Sequence, residues 1–295
     1  MGGWIAEVKM GNLLITFIFA YTSLMPGARN VYKPELAHQI LQGFNIYSPE
    51  IVLQGNAEVM YFGGWMAAAD LPYDAIYRCA MPCQNPVEVL SPPFGSLVQL
   101  NDPTLVQMPG GYWIMYMTGS SSLNGELTSQ AIYFSTSWDG ITWSVPQLLI
   151  SGYWLPSAVI KDGHVYLYAN PTTPPNKQWR FDLGISGVGV GMPVVINHTQ
   201  PYNYANVDIA YHPSINLWQM VAENIGALPA SQIDYLISGN GIDWTLGQAA
   251  VISAPAGGSV RTPAMHPGTA YYIYYGCAGT RDGMSNQICF DDWSP

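Results

Sequence analysis

Residues 101–119 read NDPTLVQMPGGYWIMYMTG: a β-rich run, a Pro-Gly-Gly turn, then a second run of alternating aromatic and aliphatic residues. Strand, tight turn and strand make the signature of a β-hairpin. Four more stretches line up with it: SPEIVLQGNAEVMYFGG from Ser48, LPSAVIKDGHVYLYAN from Leu155, NVDIAYHPSINLWQMVAE from Asn206 and RTPAMHPGTAYYIYYG from Arg261. With Pro49, Pro103, Pro156, Val207 and Thr262 taken as equivalent, the steps are 54, 53, 51 and 55 residues. A period of this length marks a repeat architecture in which each unit buries its face against the next.

Within the unit a second pattern recurs. Ser137-Trp138-Asp139-Gly140-Ile141-Thr142-Trp143 and Ser238-Gly239-Asn240-Gly241-Ile242-Asp243-Trp244 share S-x-[DN]-G-I-x-W, two repeats apart. Asp-Gly and Asn-Gly supply the positive φ angles of a tight turn, so the pattern reads as structural, with the final Trp packing beneath it. A further strand follows at 87–92, 146–152, 193–197 and 248–254, but after CFDDW at 289–293 the chain stops. A matching segment, PELAHQILQG at 34–43, precedes the first repeat. The sequence therefore predicts an all-β protein: a five-bladed β-propeller of four-stranded blades over residues 32–295, its ring closed by an N-terminal strand that completes the last blade. Closure removes the exposed edges a linear array would leave.

Composition agrees. In 295 residues only 9% are charged, 13% are aromatic, and there are 30 Gly and 23 Pro. So much apolar surface excludes a disordered chain, and so much Gly and Pro argues against a helical bundle. Nine Lys plus Arg against a net charge of −10, with no basic run, exclude nucleic acid as a partner. The apolar stretch NLLITFIFAYTSLM at 12–25, after Lys9 and before Pro26-Gly27-Ala28, is too short for a membrane span and suits the core of a secretory signal over residues 1–28. A secreted protein is the expectation. Cys79 and Cys83 are near neighbours, and Cys277 and Cys289 flank an apparent hairpin loop. Four cysteines allow three connectivities, and spacing alone does not choose among them.

In a propeller the first strand of each blade lines the central channel, and alternate side chains point into it. The lining pairs expected are Ser48/Glu50, Asp102/Thr104, Leu155/Ser157, Asn206/Asp208 and Arg261/Pro263. Three acids and an Arg then converge in a charge-poor protein, where a buried carboxylate is costly unless paired or functional. Tyr153, Trp154, Tyr202, Asn203, Tyr204 and Asn206, on loops feeding the channel mouth, offer aromatic faces and amides suited to a sugar.

Here the chain resembles the five-bladed glycoside hydrolases, the family 43 and family 32 group of arabinanases, xylosidases and fructosidases, over about 260 residues as architecture. Asn101-Asp102-Pro103-Thr104 looks like that group's second-blade Arg-Asp-Pro motif, whose Asp orients the sugar and tunes the acid. The group's first-blade Asp falls on Ser48, and its third-blade Glu on or beside Trp154 and Leu155. The resemblance implies an oligo- or polysaccharide partner at the central pocket. If the chain hydrolyses it, Asp102, Glu50 and Asp208 are the candidate catalytic carboxyls, with Ser48, Trp154, Ser157, Asn206 and Arg261 binding substrate. Glycosidases use two carboxyl groups about 5–5.5 Å apart for retention or 6.5–9.5 Å for inversion. The alternatives are a non-catalytic, lectin-like propeller and a protein-interaction propeller, the last marked by large apolar patches on the outer blade surfaces. No cofactor or metal motif occurs; His266, near the axis, is a candidate calcium-linked residue by the same resemblance.

Overall fold

The computed structural model describes residues 6–10, 13–17, 30–31, 38–41, 45–66, 73–122, 129–173, 177–199, 203–226, 231–254, 258–267, 269–278 and 286–292. Their regular secondary structure is β, arranged as five blades of four antiparallel strands, with Asn30–Val31 and Asn197–His198 paired parallel to the outer strand of the fourth. Blade 1 is Asn45–Gln54, Ala57–Trp65, Ala75–Ala80 and Val87–Leu90. Blade 2 is Gln99–Gln107, Trp113–Ser120, Gln130–Ser137 and Gln147–Ser151. Blade 3 is Tyr153–Lys161, His164–Pro171, Trp179–Asp182 and Val194–Val195. Blade 4 is Tyr204–His212, Leu217–Asn224, Gln232–Ser238 and Asp243–Ser253. Blade 5 takes Ser259–His266, Thr269–Ala278 and Gln287–Asp292, and its outer strand is His38–Leu41 from far upstream, with Leu41 opposite Ile288. Ala6–Met10 and Leu13–Phe17 pair as a hairpin; the remainder of the segment expected to direct secretion lies outside the described residues.

Apolar clusters lie between blades. Val59, Tyr61 and Ile76 of blade 1 pack with Leu100, Leu105 and Met115 of blade 2. Each following pair shares a cluster of the same kind, and Tyr274 and Ile288 of blade 5 meet Ile46, Met60 and Phe62 of blade 1. Alternate positions of a strand face opposite sides of its sheet, so both faces of a blade must be apolar when each packs on a neighbour. This is where the high aromatic and aliphatic content goes.

One device links sequence composition to that packing. Tyr61, Tyr116 and Tyr168 hold equivalent places on the second strands of blades 1, 2 and 3. Each donates its hydroxyl to a glycine carbonyl of the next blade: Gly140 at 2.5 Å, Gly187 at 2.7 Å and Gly241 at 2.8 Å. A buried phenol needs such a partner, and a turn glycine lets it come close. At Gly241, with φ of 69°, an added Cβ would stand 2.6 Å from the Tyr168 oxygen. Gly140 and Gly241 belong to the repeated S-x-[DN]-G-I-x-W turns. In both, the Ser hydroxyl accepts the glycine N–H, and the Asp139 or Asn240 side chain accepts the next two N–H groups at 2.7–2.9 Å. Two disulfides are formed, Cys79–Cys83 at the end of a blade 1 strand and Cys277–Cys289 across two strands of blade 5.

Candidate functional site

Every inner strand breaks its register at an equivalent place. Ser48, Asp102, Leu155, Asn206 and Thr262 have φ of 50, 49, 53, 45 and 44°, in the left-handed region. The ladder to the second strand shifts across each of them. The residue that follows is a proline in four blades and Val207 in the other. Proline has no N–H to give a ladder and is accommodated in a strand at a bulge, where the extra residue is unpaired anyway. Five non-glycine residues held at positive φ around one axis are a concentration of backbone strain, which clusters at functional sites.

The bulges correct the fifth repeat. Thr262 stands where Asp102 stands, and Pro263, not Thr262, is the equivalent of Pro49 and Pro103. The mark was in the sequence, since Pro263 aligns with Pro49, Pro103 and Pro156 as the residue after the bulge. The bulge also presents three consecutive residues to the axis rather than every second one. The axial cavity is lined by Ser48-Pro49-Glu50, Asp102-Pro103-Thr104, Leu155-Pro156-Ser157, Asn206-Val207-Asp208 and Thr262-Pro263. Glu50, Asp102, Asp208, Ser48, Ser157 and Asn206 are thus brought together as expected. Trp154 and Arg261 sit one residue before the bulge, outside the lining and partly exposed, at the level of Tyr47 and Asn101. The cavity has a volume of about 30 Å³.

The hydrogen bonds around this cavity repeat from blade to blade. Glu50 Oε1 accepts the Leu105 N–H at 3.2 Å, Thr104 Oγ1 the Ala158 N–H at 3.1 Å, Ser157 Oγ the Ile209 N–H at 3.1 Å, and Asp208 Oδ2 the Met265 N–H at 2.7 Å. In four successive blades, then, the second residue after the bulge accepts an N–H of the next blade's inner strand. The fifth blade has Ala264 there, which has no acceptor to offer. A second ring of contacts lies at the bulges. The Ser48 hydroxyl donates to Asp102 Oδ1 at 2.5 Å, Thr262 Oγ1 accepts the Ser48 N–H at 3.0 Å, and Thr118 Oγ1 accepts the Leu155 N–H at 2.9 Å.

Burial sets the protonation of these acids. Desolvation pushes the Glu50 carboxyl well up, and the Asp208 charge pushes it further, against the pull of the Leu105 N–H and the Thr104 hydroxyl. Desolvation likewise raises Asp208, opposed by the Met265 and Ile209 N–H groups, and raises Asp102, opposed by the Ser48 and Thr118 hydroxyls. Two like charges around so small a space do not both ionise freely at neutral pH.

Two further acids were not singled out from the sequence. Glu223, on the second strand of blade 4, is raised to about 7 by desolvation, against hydrogen bonds from Asn206 and the Thr262 N–H and the charge of Arg261. Asp74 is raised to about 6 by desolvation while accepting the Tyr47 hydroxyl at 2.5 Å and the Asn101 amide at 3.1 Å. The signal for Glu223 was present: a lone acid ending the apolar run WQMVAE. Of the mouth residues, Tyr204 is buried and donates to Asp234, Tyr153 packs edge-on against Phe181, Asn203 is exposed, and Tyr202 lies outside the described residues. His266 meets Glu58 Oε1 at 2.9 Å, away from the axial lining. Among the described residues no three His, Cys, Asp or Glu side chains are placed to hold a metal.

Solved structures that include family 43 glycoside hydrolases superpose on this five-bladed ring. Similar structures include an RS223-Beta-xylosidase, 11% identical, covering 88% of this chain and 95% of that one with a TM-score of 0.66. The GH43_1 enzyme from Xanthomonas citri complexed with xylose is 12% identical over 87% of this chain and 89% of its own, with a TM-score of 0.63. An N-acetylgalactosamine deacetylase from F. plautii, in complex with blood group B trisaccharide, is 14% identical over 90% and 93%, with a TM-score of 0.61. At such identities the likeness is one of fold. No family model and no curated protein matches the sequence.

Proposed function

We propose that this chain is a secreted, carbohydrate-binding propeller that engages an oligo- or polysaccharide at the mouth of the ring and does not cleave it. The observation that carries this reading is the use made of the axial carboxyls. Glu50 and Asp208 each accept a backbone N–H of the neighbouring blade, around the small axial cavity. Acids so engaged brace the ring and are poorly placed to flank a glycosidic bond. One residue before the bulges, Trp154 and Arg261 are partly exposed and offer aromatic surface and a guanidinium, while Tyr47 and Asn101 at the same level are held by Asp74. Ligand sites join apolar surface to a few placed polar groups in this way. The sugars held by two of the similar structures support the ligand class, and two disulfides suit an oxidising compartment.

Hydrolysis is the second reading, and Glu223 favours it. A carboxyl titrating at about 7 divides between acid and base forms near neutrality, as a general acid must. A panel of aryl glycosides and oligosaccharides, read alongside a glycan array, separates the two. Binding without turnover is expected. Turnover that Glu223→Gln or Asp102→Asn abolishes would establish the hydrolase instead.

A further inference from the structure

The two S-x-[DN]-G-I-x-W turns are built alike and dressed differently. Their Ser, Asp or Asn, and Gly positions make matching hydrogen bonds, so the turn is complete in either blade. At the second position blade 4 has Gly239, where an added Cβ would meet nothing within 4 Å. Blade 2 has Trp138 there, and 77% of it is exposed. The fold therefore does not need this indole: the twin turn closes without it, and little of its surface is buried. A large aromatic left in water with no structural return marks a contact surface.

Its surroundings say what kind. Trp138 and Tyr112 have ring centroids 5.5 Å apart with planes 59° apart. They border a surface cleft of about 700 Å³ whose other walls include Ser137, Asp139, Thr142 and Ser144. The cleft beside the blade 4 turn, about 320 Å³, lies against blade 3 instead, with Lys161, Tyr166 and Arg180 from that blade and Trp218 from blade 4. In blade 2 the aromatic pair offers apolar ring faces, and the polar edge is hydroxyls and one carboxylate. Asp139 Oδ2 accepts only the Thr142 hydroxyl, at 3.1 Å, among the described contacts, which leaves it lone pairs for further donors. Apolar faces suit the C–H side of a sugar ring, and a carboxylate beside hydroxyls suits its O–H groups. The cleft is of the size that small ligands occupy.

We propose that the outer cleft of blade 2, between Trp138 and Tyr112 and edged by Asp139, is a second carbohydrate-binding site, remote from the axis, that takes a residue of a neutral polysaccharide. It rests on the carbohydrate reading only for the class of polymer, since the cleft and the axial mouth share no residue. Two separated sites on one rigid ring would hold a long chain by avidity, where a short oligosaccharide fills only one.

Affinity electrophoresis of the full chain through gels containing xylan, arabinan, mannan or β-glucan tests this, with Trp138→Ala, Trp138→Phe and the mouth variant Trp154→Ala run beside the wild type. The expected result is that Trp138→Ala weakens retardation by a bound polysaccharide about tenfold, the scale of one aromatic contact, while Trp138→Phe keeps part of it. Trp154→Ala should weaken binding of short oligosaccharides and leave a residual, Trp138-dependent retardation on polymer. Trp138→Ala running like the wild type would overturn the outer site, and loss with Trp154→Ala alone would then leave the mouth reading standing. No retardation of the wild type on any polymer overturns both. Self-association that Trp138→Ala abolishes, without glycan binding, would reassign the cleft to protein contact.

Discussion

The axis and the outer turns of blades 2 and 4 use the same chemistry, acidic and amide side chains accepting backbone N–H groups, to different ends. At the axis the acceptors Glu50 and Asp208 reach across to the next blade, and burial raises both carboxyls. In the turns Asp139 and Asn240 bond their own neighbours in the open. There the Thr142 and Ile141 N–H groups and the Ser137 hydroxyl hold Asp139 well below the usual carboxylate range. A repeated acid is thus no guide to chemistry by itself. Whether the hydrogen bond crosses between blades or stays within a turn decides what its loss removes.

That contrast can be broken most forcefully at Asp208. Asp208→Ala strips an acceptor from the Met265 N–H and the Ser157 hydroxyl, and two donors left in so small a space should cost about 2–4 kcal/mol. Chemical denaturation would measure it, and an unchanged midpoint would mean that the carboxyl does not brace the ring. Next in size is Gly241→Ala, which meets both a left-handed φ and the Tyr168 oxygen, for about 2–3 kcal/mol. If blade 4 stays as stable with alanine there, the tyrosine-to-glycine link is not what holds blades 3 and 4 together.

The pH response comes third. Glu223 at about 7 and Asp74 at about 6 are raised above their unfolded values, so the folded state binds protons more tightly. Their contribution is fully present below about pH 4 and is lost as pH rises through about 6 and 7. The melting temperature should therefore be higher at pH 5 than at pH 8, and Glu223→Gln should flatten that slope; a slope unaltered by the substitution would place the titration elsewhere. The smallest expected effect is at the exposed turn. Trp138→Ala should leave the melting temperature unchanged, because its twin position is already glycine, and a clear drop would make Trp138 a structural residue.

Much of this architecture was legible in the chain. Hairpins spaced about fifty residues apart, each with its turn glycine, carry the blades because period and turn chemistry are local properties. The convergence of Glu50, Asp102 and Asp208 followed from strand order alone. Thr262 was placed one residue out although Pro263 aligns with Pro49, Pro103 and Pro156, because only the sheet shows that this proline marks the bulge. Glu223 escaped because its carboxyl is raised by burial, which the fold imposes, and Asn206, Arg261 and the Thr262 N–H, which oppose that shift, come from other strands.

By itself the sequence determined the class of fold, the number of blades and the residues that meet at the axis, because repetition and alternation act between near neighbours. Only the tertiary structure decided what those residues do there. An acceptor's role depends on which donor the packing brings to it. In this ring the Leu105 and Met265 N–H groups that reach Glu50 and Asp208 lie more than fifty residues away, in the adjoining blade.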